Sequence, residues 1–263
     1  MLEVINKKIT HTLNQQTIPL SRETASLLKD TFSESEGMVP CCVCYDFSNH
    51  VTEWQPFVFA KNIPYMVARL STLVFMGEEI CHDEKWLNVS VNYTKDAFYG
   101  ARELRLYPAI LRHIVHWILP ETRRVRKHMS VARSVVQREI RKRELIREGK
   151  LPDTNPNRHQ DALDWFREVS NGRPFDETRA QIGLSLAAIH TTSNMLTNVM
   201  YDLTANPELI QPLRDEIKAV VEEDGGLKKS TMTKMKLLDS VMKESQRVNP
   251  TGMGELLSTT SLS

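Results

Sequence analysis

Apolar positions recur every three to four residues along most of this chain, which is the spacing of helices. In the stretch NIPYMVARLSTLVFMG, residues 62–77, Ile63, Val67, Leu70 and Val74 form one stripe. Pro64 suits its first turn and Gly77 its C-terminal end. Residues 2–14 and 21–31 read as two short amphipathic helices, the second N-capped by Ser21. Residues 33–60, broken by Gly37, Pro40 and Pro56, read as a loop region. Residues 83–98 and 103–119 are further helices, the latter carrying Leu104, Leu106, Ile110, Leu111, Ile114 and Ile118.

From 122 to 150 the pattern stays helical while the surface turns basic. Val125, Met129, Ala132, Val136 and Ile140 keep the spacing, among eleven Lys or Arg and only Glu139, Glu144 and Glu148. Gly149 and Pro152 end this helix, and residues 151–160 read as a polar link. The longest helix is expected to start after Asp176, an N-cap with Glu177 in the first turn, and to stop before Pro207. At 1.5 Å per residue that is roughly 43 Å of helix. Asn206-Pro207-Glu208 reads as the N-cap, first position and acidic first turn of the next helix, which stops at Gly225-Gly226. A last helix covers about 236–248 and ends at Asn249-Pro250.

Composition adds three constraints. Ten glycines and twelve prolines in 263 residues favour long helices over a strand-and-turn protein. A net charge of +1 gives no bulk attraction to nucleic acid. No apolar run follows the basic start of the chain, so neither a signal peptide nor a membrane anchor is expected. The least charged stretch, 180–201, is long enough to span a bilayer. It holds Gln181, His190, three threonines and two asparagines, however, and reads as a helix buried in protein. The four cysteines, Cys41, Cys42, Cys44 and Cys81, are expected as reduced thiols, and the sequons at Asn88 and Asn92 as unused. One Cys-x-x-Cys near His50, and His113 with His116 on a helix, fall short of a structural zinc set. Trp117 and its apolar neighbours favour packing for the two histidines.

Two constellations stand out. On the long helix, Ala187 and Ala188 leave a shallow groove beside His190, Thr191 and Thr192. Threonines there can bond back to carbonyls one turn earlier and loosen the helix. The ordinary reading is a core helix whose hydroxyls satisfy themselves. On the last helix, Glu244 and Arg247 lie three apart on one face, beside the stripe of Leu238, Val241 and Val248. The ordinary reading there is a solvated ion pair of little energetic weight.

Together, Ala-Ala-x-His-Thr-Thr, then Asn-Pro-Glu, then Glu-x-x-Arg followed by Asn-Pro, in that order, resemble the cytochrome P450 family. The likeness is greater to fungal members that serve secondary metabolism, and VARLSTLVFMGEEICHDEKWL, 67–87, resembles the helix behind their haem. The resemblance implies a mostly α fold: an incomplete cytochrome P450 fold round a long central helix. Residues 1–254 would be a partial cytochrome P450 domain, clearest over 62–254, and 255–263 a divergent Ser/Thr-rich tail. In complete members, small residues matching Ala187 and Ala188 make room for dioxygen above the haem iron. The residue matching Thr191 helps deliver protons as the O–O bond breaks. His190 replaces the usual acid and can still relay protons near neutral pH. Glu244 and Arg247 would be structural. Complete members take electrons from a reductase, oxidise a small lipophilic substrate, here a terpenoid or polyketide-derived metabolite by the fungal resemblance, and are anchored in the endoplasmic reticulum.

The departures from the pattern are absences. Family chemistry depends on a cysteine thiolate bound to the iron, well downstream of Glu-x-x-Arg. Sixteen residues follow Arg247, none of them cysteine. The expectation is therefore a truncated, cytoplasmic chain that binds no haem in the family's way and is inactive alone. Two other readings stay open: a non-catalytic helical protein that binds a partner through its basic helix, or a product without function.

Overall fold

The computed structural model describes residues 8, 10–33, 58–153 and 160–250. Among them the chain is helical throughout, with no strand, in agreement with the mostly α expectation. The helices are α1 (Thr10–Ser33), α2 (Phe59–Met76), α3 (Glu78–Cys81), α4 (Glu84–Arg105), α5 (Ala109–Ile118) and α6 (Pro120–Arg147). There follow α7 (Ala162–Ser170), α8 (Glu177–Ala205), a 3-10 turn at Pro207–Leu209, α9 (Ile210–Asp224), α10 (Lys229–Lys234) and α11 (Lys236–Val248). They form two compact units. Unit 1 is Met1–His11 with Val67–His190, and unit 2 is Thr12–Met66 with Thr191–Ser263.

In unit 1, α4 lies along α6. Asp96 pairs with Arg124 and His128, each at 2.9 Å, while Asp83 pairs with Arg138 at 2.6 Å. Residue numbers fall on one helix as they rise on the other, so the two run antiparallel. Asp83 also caps α4, accepting from the backbone N–H of Lys85 and Trp86. The wholly buried Trp86 donates its indole N–H to Thr72 of α2 at 3.1 Å. Ala132, Val135, Val136 and Ile140 are the buried side of α6. Gly100 marks the close approach: a Cβ there would sit 3.4 Å from Thr122 Cγ2. At Gly77 a φ of 89° ends α2, a conformation that glycine adopts without strain.

The basic helix hides an ionic centre. Arg143 lies on the buried stripe, three residues past Ile140. Its guanidinium binds Asp161 with two hydrogen bonds (2.8 and 2.6 Å), Glu139 at 2.6 Å and the carbonyl of Met76 at 3.1 Å. Asp161 in turn caps α7 through the N–H groups of Leu163 and Asp164. Burial opposes the charge on Arg143, but Asp161 and then Glu139 outweigh it and raise the guanidinium pKa.

Unit 2 is closed by a carboxylate. Glu216 of α9 accepts from the backbone N–H of Leu237 (2.7 Å) and Leu238 (3.0 Å), satisfying the exposed donors at the start of α11. Leu213 and Met235 are buried in this unit. The hydroxyl of Thr231, itself wholly buried, donates to Asp224 at 2.7 Å.

Several expectations need correction. The two helices expected over 2–14 and 21–31 are one helix from Thr10, so Ser21 is interior and caps nothing. Pro19 removes one hydrogen bond, and the burial of Gln16, Thr17 and Leu27 on either side holds the helix together. Helix α2 starts at Phe59, placing Pro64 beyond the first turn. The helix expected over 103–119 is broken at Pro108, because the residue before a proline avoids the helical region. Its apolar face is not core: Ile110 is 85% exposed, Ile114 62% and Ile118 60%. Trp117 is exposed rather than packed, with the Arg126 guanidinium 4.8 Å above its ring. Asn206 makes no side-chain cap; its amide donates back to Asp202 O at 2.8 Å. The loop region at 34–57, with Cys41, Cys42, Cys44 and His50, and the tail at 255–263 lie outside the described residues, as does most of the 151–160 link.

Candidate oxygen-activation site

Helix α8 runs for 29 residues, Glu177–Ala205, with the bounds that its flanking signals predict. Asp176 accepts from the backbone N–H of Arg179 at 3.0 Å, as an N-terminal cap does. The helix buries one side: Ile182, Leu184, Ser185 and Ile189. Ile189 is wholly enclosed and packs with Ala68 and Val91.

The candidate residues lie on other sides of that helix. Ala187 and Thr191, one turn apart, are both exposed, as is Thr192, and Ala188 is half-buried. Ala187 and Ala188 carry the smallest apolar side chains on this part of the helix. His190 is half-buried, and its Nε2 is enclosed without a hydrogen-bond partner. Burial, then the positive charge of Lys95, pulls its pKa below the usual histidine value of 6.5. At neutral pH it is thus the neutral imidazole, with one donor and one acceptor nitrogen. Further along, Thr197 donates to Ser193 O and Thr204 to Met200 O, both at 2.7 Å.

Glu244 and Arg247 on α11 form a forked pair, at 2.8 and 2.7 Å. Both are largely exposed, with 61% and 70% of each side chain accessible. Hydrogen bonding to Arg247 holds the Glu244 carboxyl below its usual range. Cys81 is wholly buried in unit 1, and its thiol donates to Glu78 O at 3.1 Å. The residues that sequence reasoning passed over are Arg143 and Asp161, and Lys95 beside His190. Arg143 does carry a sequence signal, because it continues the stripe of Ala132, Val136 and Ile140.

A comparison with known proteins settles the class. The sequence model of the cytochrome P450 family matches residues 39–256. The chain is 41% identical to the cytochrome P450 monooxygenase hepE of Aspergillus oryzae, over 95% of this chain and 43% of that protein. It is 36% identical to the cytochrome P450 monooxygenase adrA of Penicillium rubens, over 97% of this chain and 46% of that one. It is 31% identical to the dihydro-ML-236C monooxygenase mlcC of Penicillium citrinum, over 97% and 47% respectively. This chain belongs to the cytochrome P450 family. It spans less than half the length of these curated relatives. No helix among the described residues is long and apolar enough to cross a membrane.

Proposed function

We propose that this chain carries the oxygen side of a haem-thiolate monooxygenase of fungal secondary metabolism, whose substrate is a lipophilic terpenoid or polyketide-derived metabolite and whose electrons come from a reductase. The observation that carries the reading is the order Ala187, Ala188, His190, Thr191 on a 29-residue helix, with Ala187 and Thr191 one turn apart and both exposed. When bound, haem supplies the iron chemistry that activates dioxygen. The residues of this chain supply the surroundings. Ala187 and Ala188 keep the helix surface low, so that a flat ring and a diatomic molecule fit against it. The Thr191 hydroxyl can hold and pass a proton at Oγ1. The neutral imidazole of His190 can accept one at a ring nitrogen and release it from the other.

The fit is one-sided. Among the described residues, Cys81 is the one thiol, and it is enclosed in unit 1 with its proton directed at Glu78 O. In this reading Cys81 is not the iron ligand. The reading is that this chain alone does not turn over substrate. Glu244 and Arg247 are structural in this reading, and in this chain they do that work only weakly, because water reaches both. The test is the absorption spectrum of the purified chain mixed with haem, reduced and exposed to carbon monoxide. The thiolate-ligated signature is expected to be missing. A stoichiometric thiolate signature would overturn the reading.

One observation favours a second reading, a non-catalytic partner-binding protein. Helix α5 has no buried residue, and it leads into the basic helix α6. Capture of a partner that weakens steeply with salt would support it.

A further inference from the structure

Several enclosed polar atoms of unit 1 lack a hydrogen-bond partner among the described residues, and two of them lie close in sequence to one apolar cluster. His190 Nε2 on α8 and Thr94 Oγ1 on α4 are each cut off from solvent, and neither has a hydrogen-bond partner among the described residues. Thr94 as a whole is 4% exposed. Buried polar groups are nearly always satisfied, by protein or by ordered water. Their turns border the same buried group of apolar side chains. Val91 and Ile189, both wholly buried, belong to one apolar cluster. Thr94 follows Val91 by three residues and so shares its face of α4, while His190 follows Ile189 directly. Lys95, next to Thr94, is near enough for its charge to act on His190.

We infer that one buried water molecule bridges Thr94 Oγ1 and His190 Nε2, and that Thr94 is thereby a positioning residue for the His190 ring. The two atoms make no direct bond. A water molecule suits them because it both donates and accepts, and internal waters settle where two or more unsatisfied polar atoms converge. A cation is opposed by Lys95 and finds one nitrogen and one hydroxyl. An anion finds too few donors. With the water donating to Nε2, the ring proton resides on Nδ1, and one tautomer is selected. The bridge links α4 to the residue next to Thr191. Its relevance to proton delivery rests on the function proposed above; the bridge itself does not.

The test is made on the full chain labelled with nitrogen-15 at histidine, with His190 assigned from the His190→Gln variant. The wild type is expected to show His190 as a single tautomer with Nε2 unprotonated. Thr94→Val, which keeps the shape and removes the hydroxyl, is expected to give a tautomer mixture and a displaced titration midpoint. Thr94→Ser is expected to restore the wild-type signature. Relaxation dispersion of the water signal is expected to count one fewer long-lived internal water in Thr94→Val. Thr94→Ala serves in its place if Thr94→Val loses its helical circular dichroism. Identical histidine signals in wild type and variant would overturn the positioning role, and an unchanged water count would overturn the bridge. Neither reading needs haem or turnover, so failure of the monooxygenase proposal is separately visible.

Discussion

Two arginine–carboxylate pairs in this molecule have the same chemistry and opposite surroundings. Arg143 in unit 1 is enclosed, with 7% of its side chain accessible; it hydrogen-bonds to two carboxylates and a backbone carbonyl and lies 3.5 Å from a third carboxylate, Asp164. Arg247 in unit 2 binds one carboxylate in open water, with 70% of its side chain accessible. The exposed pair is the one that matches a family motif. The enclosed arginine lies outside that motif, in the basic run from 122 to 150. What an ion pair contributes is thus set by what surrounds it. Water screens the exposed charges and competes for their hydrogen bonds. A buried guanidinium has no such alternative, so losing it leaves Asp161 and Glu139 as uncompensated buried charges.

The largest expected effect follows from that difference. Arg143→Met should destabilise the chain by about 3–5 kcal/mol, the range for breaking a buried pair from one side. Urea denaturation followed by circular dichroism reads it directly, and a loss within error of zero would show that the centre is not enclosed in solution.

A smaller effect concerns pH. The pKa of His190 is lower in the folded chain than in the unfolded one. The unfolded state therefore binds more protons between the two values, and stability rises with pH across that window. The contribution of His190 is complete above about pH 6.5, and it is lost as pH falls through the folded pKa. Denaturation midpoints taken from neutral pH downward should show this slope, and His190→Gln should flatten it. An unchanged slope would mean that the ring is open to bulk solvent in the folded chain.

The smallest effect is expected at the motif. Glu244→Gln and Arg247→Gln should leave the denaturation midpoint where it is, since both side chains are solvated. A clear loss would show that the pair is covered.

How much of this was legible in the sequence differs by region for physical reasons. Helix α8 was legible to the residue, because an aspartate cap and a proline fix its ends. The candidate residues on it were legible as well, since a helix of known phase places 187 and 191 together. Helix α1 was misread because Ser21 was taken as the N-cap of a second helix, whereas the helix runs through it. The face of α5 was misread because periodicity reports which residues share a side, not whether anything covers that side. Helices α7 and α10 escaped notice because nine and six residues give too short a period. The ionic centre was hidden for a different reason. Asp161 lies eighteen residues from Arg143 and Met76 lies sixty-seven away, and no local pattern joins them.

The central claim is that enclosure, not motif, decides what these pairs do in this chain. Two double-mutant cycles test it most directly, Arg143 with Asp161 and Glu244 with Arg247, each followed by urea denaturation. A coupling of about 1–3 kcal/mol is expected for the first pair and none measurable for the second. Equal couplings, or a large coupling at the motif alone, would contradict it.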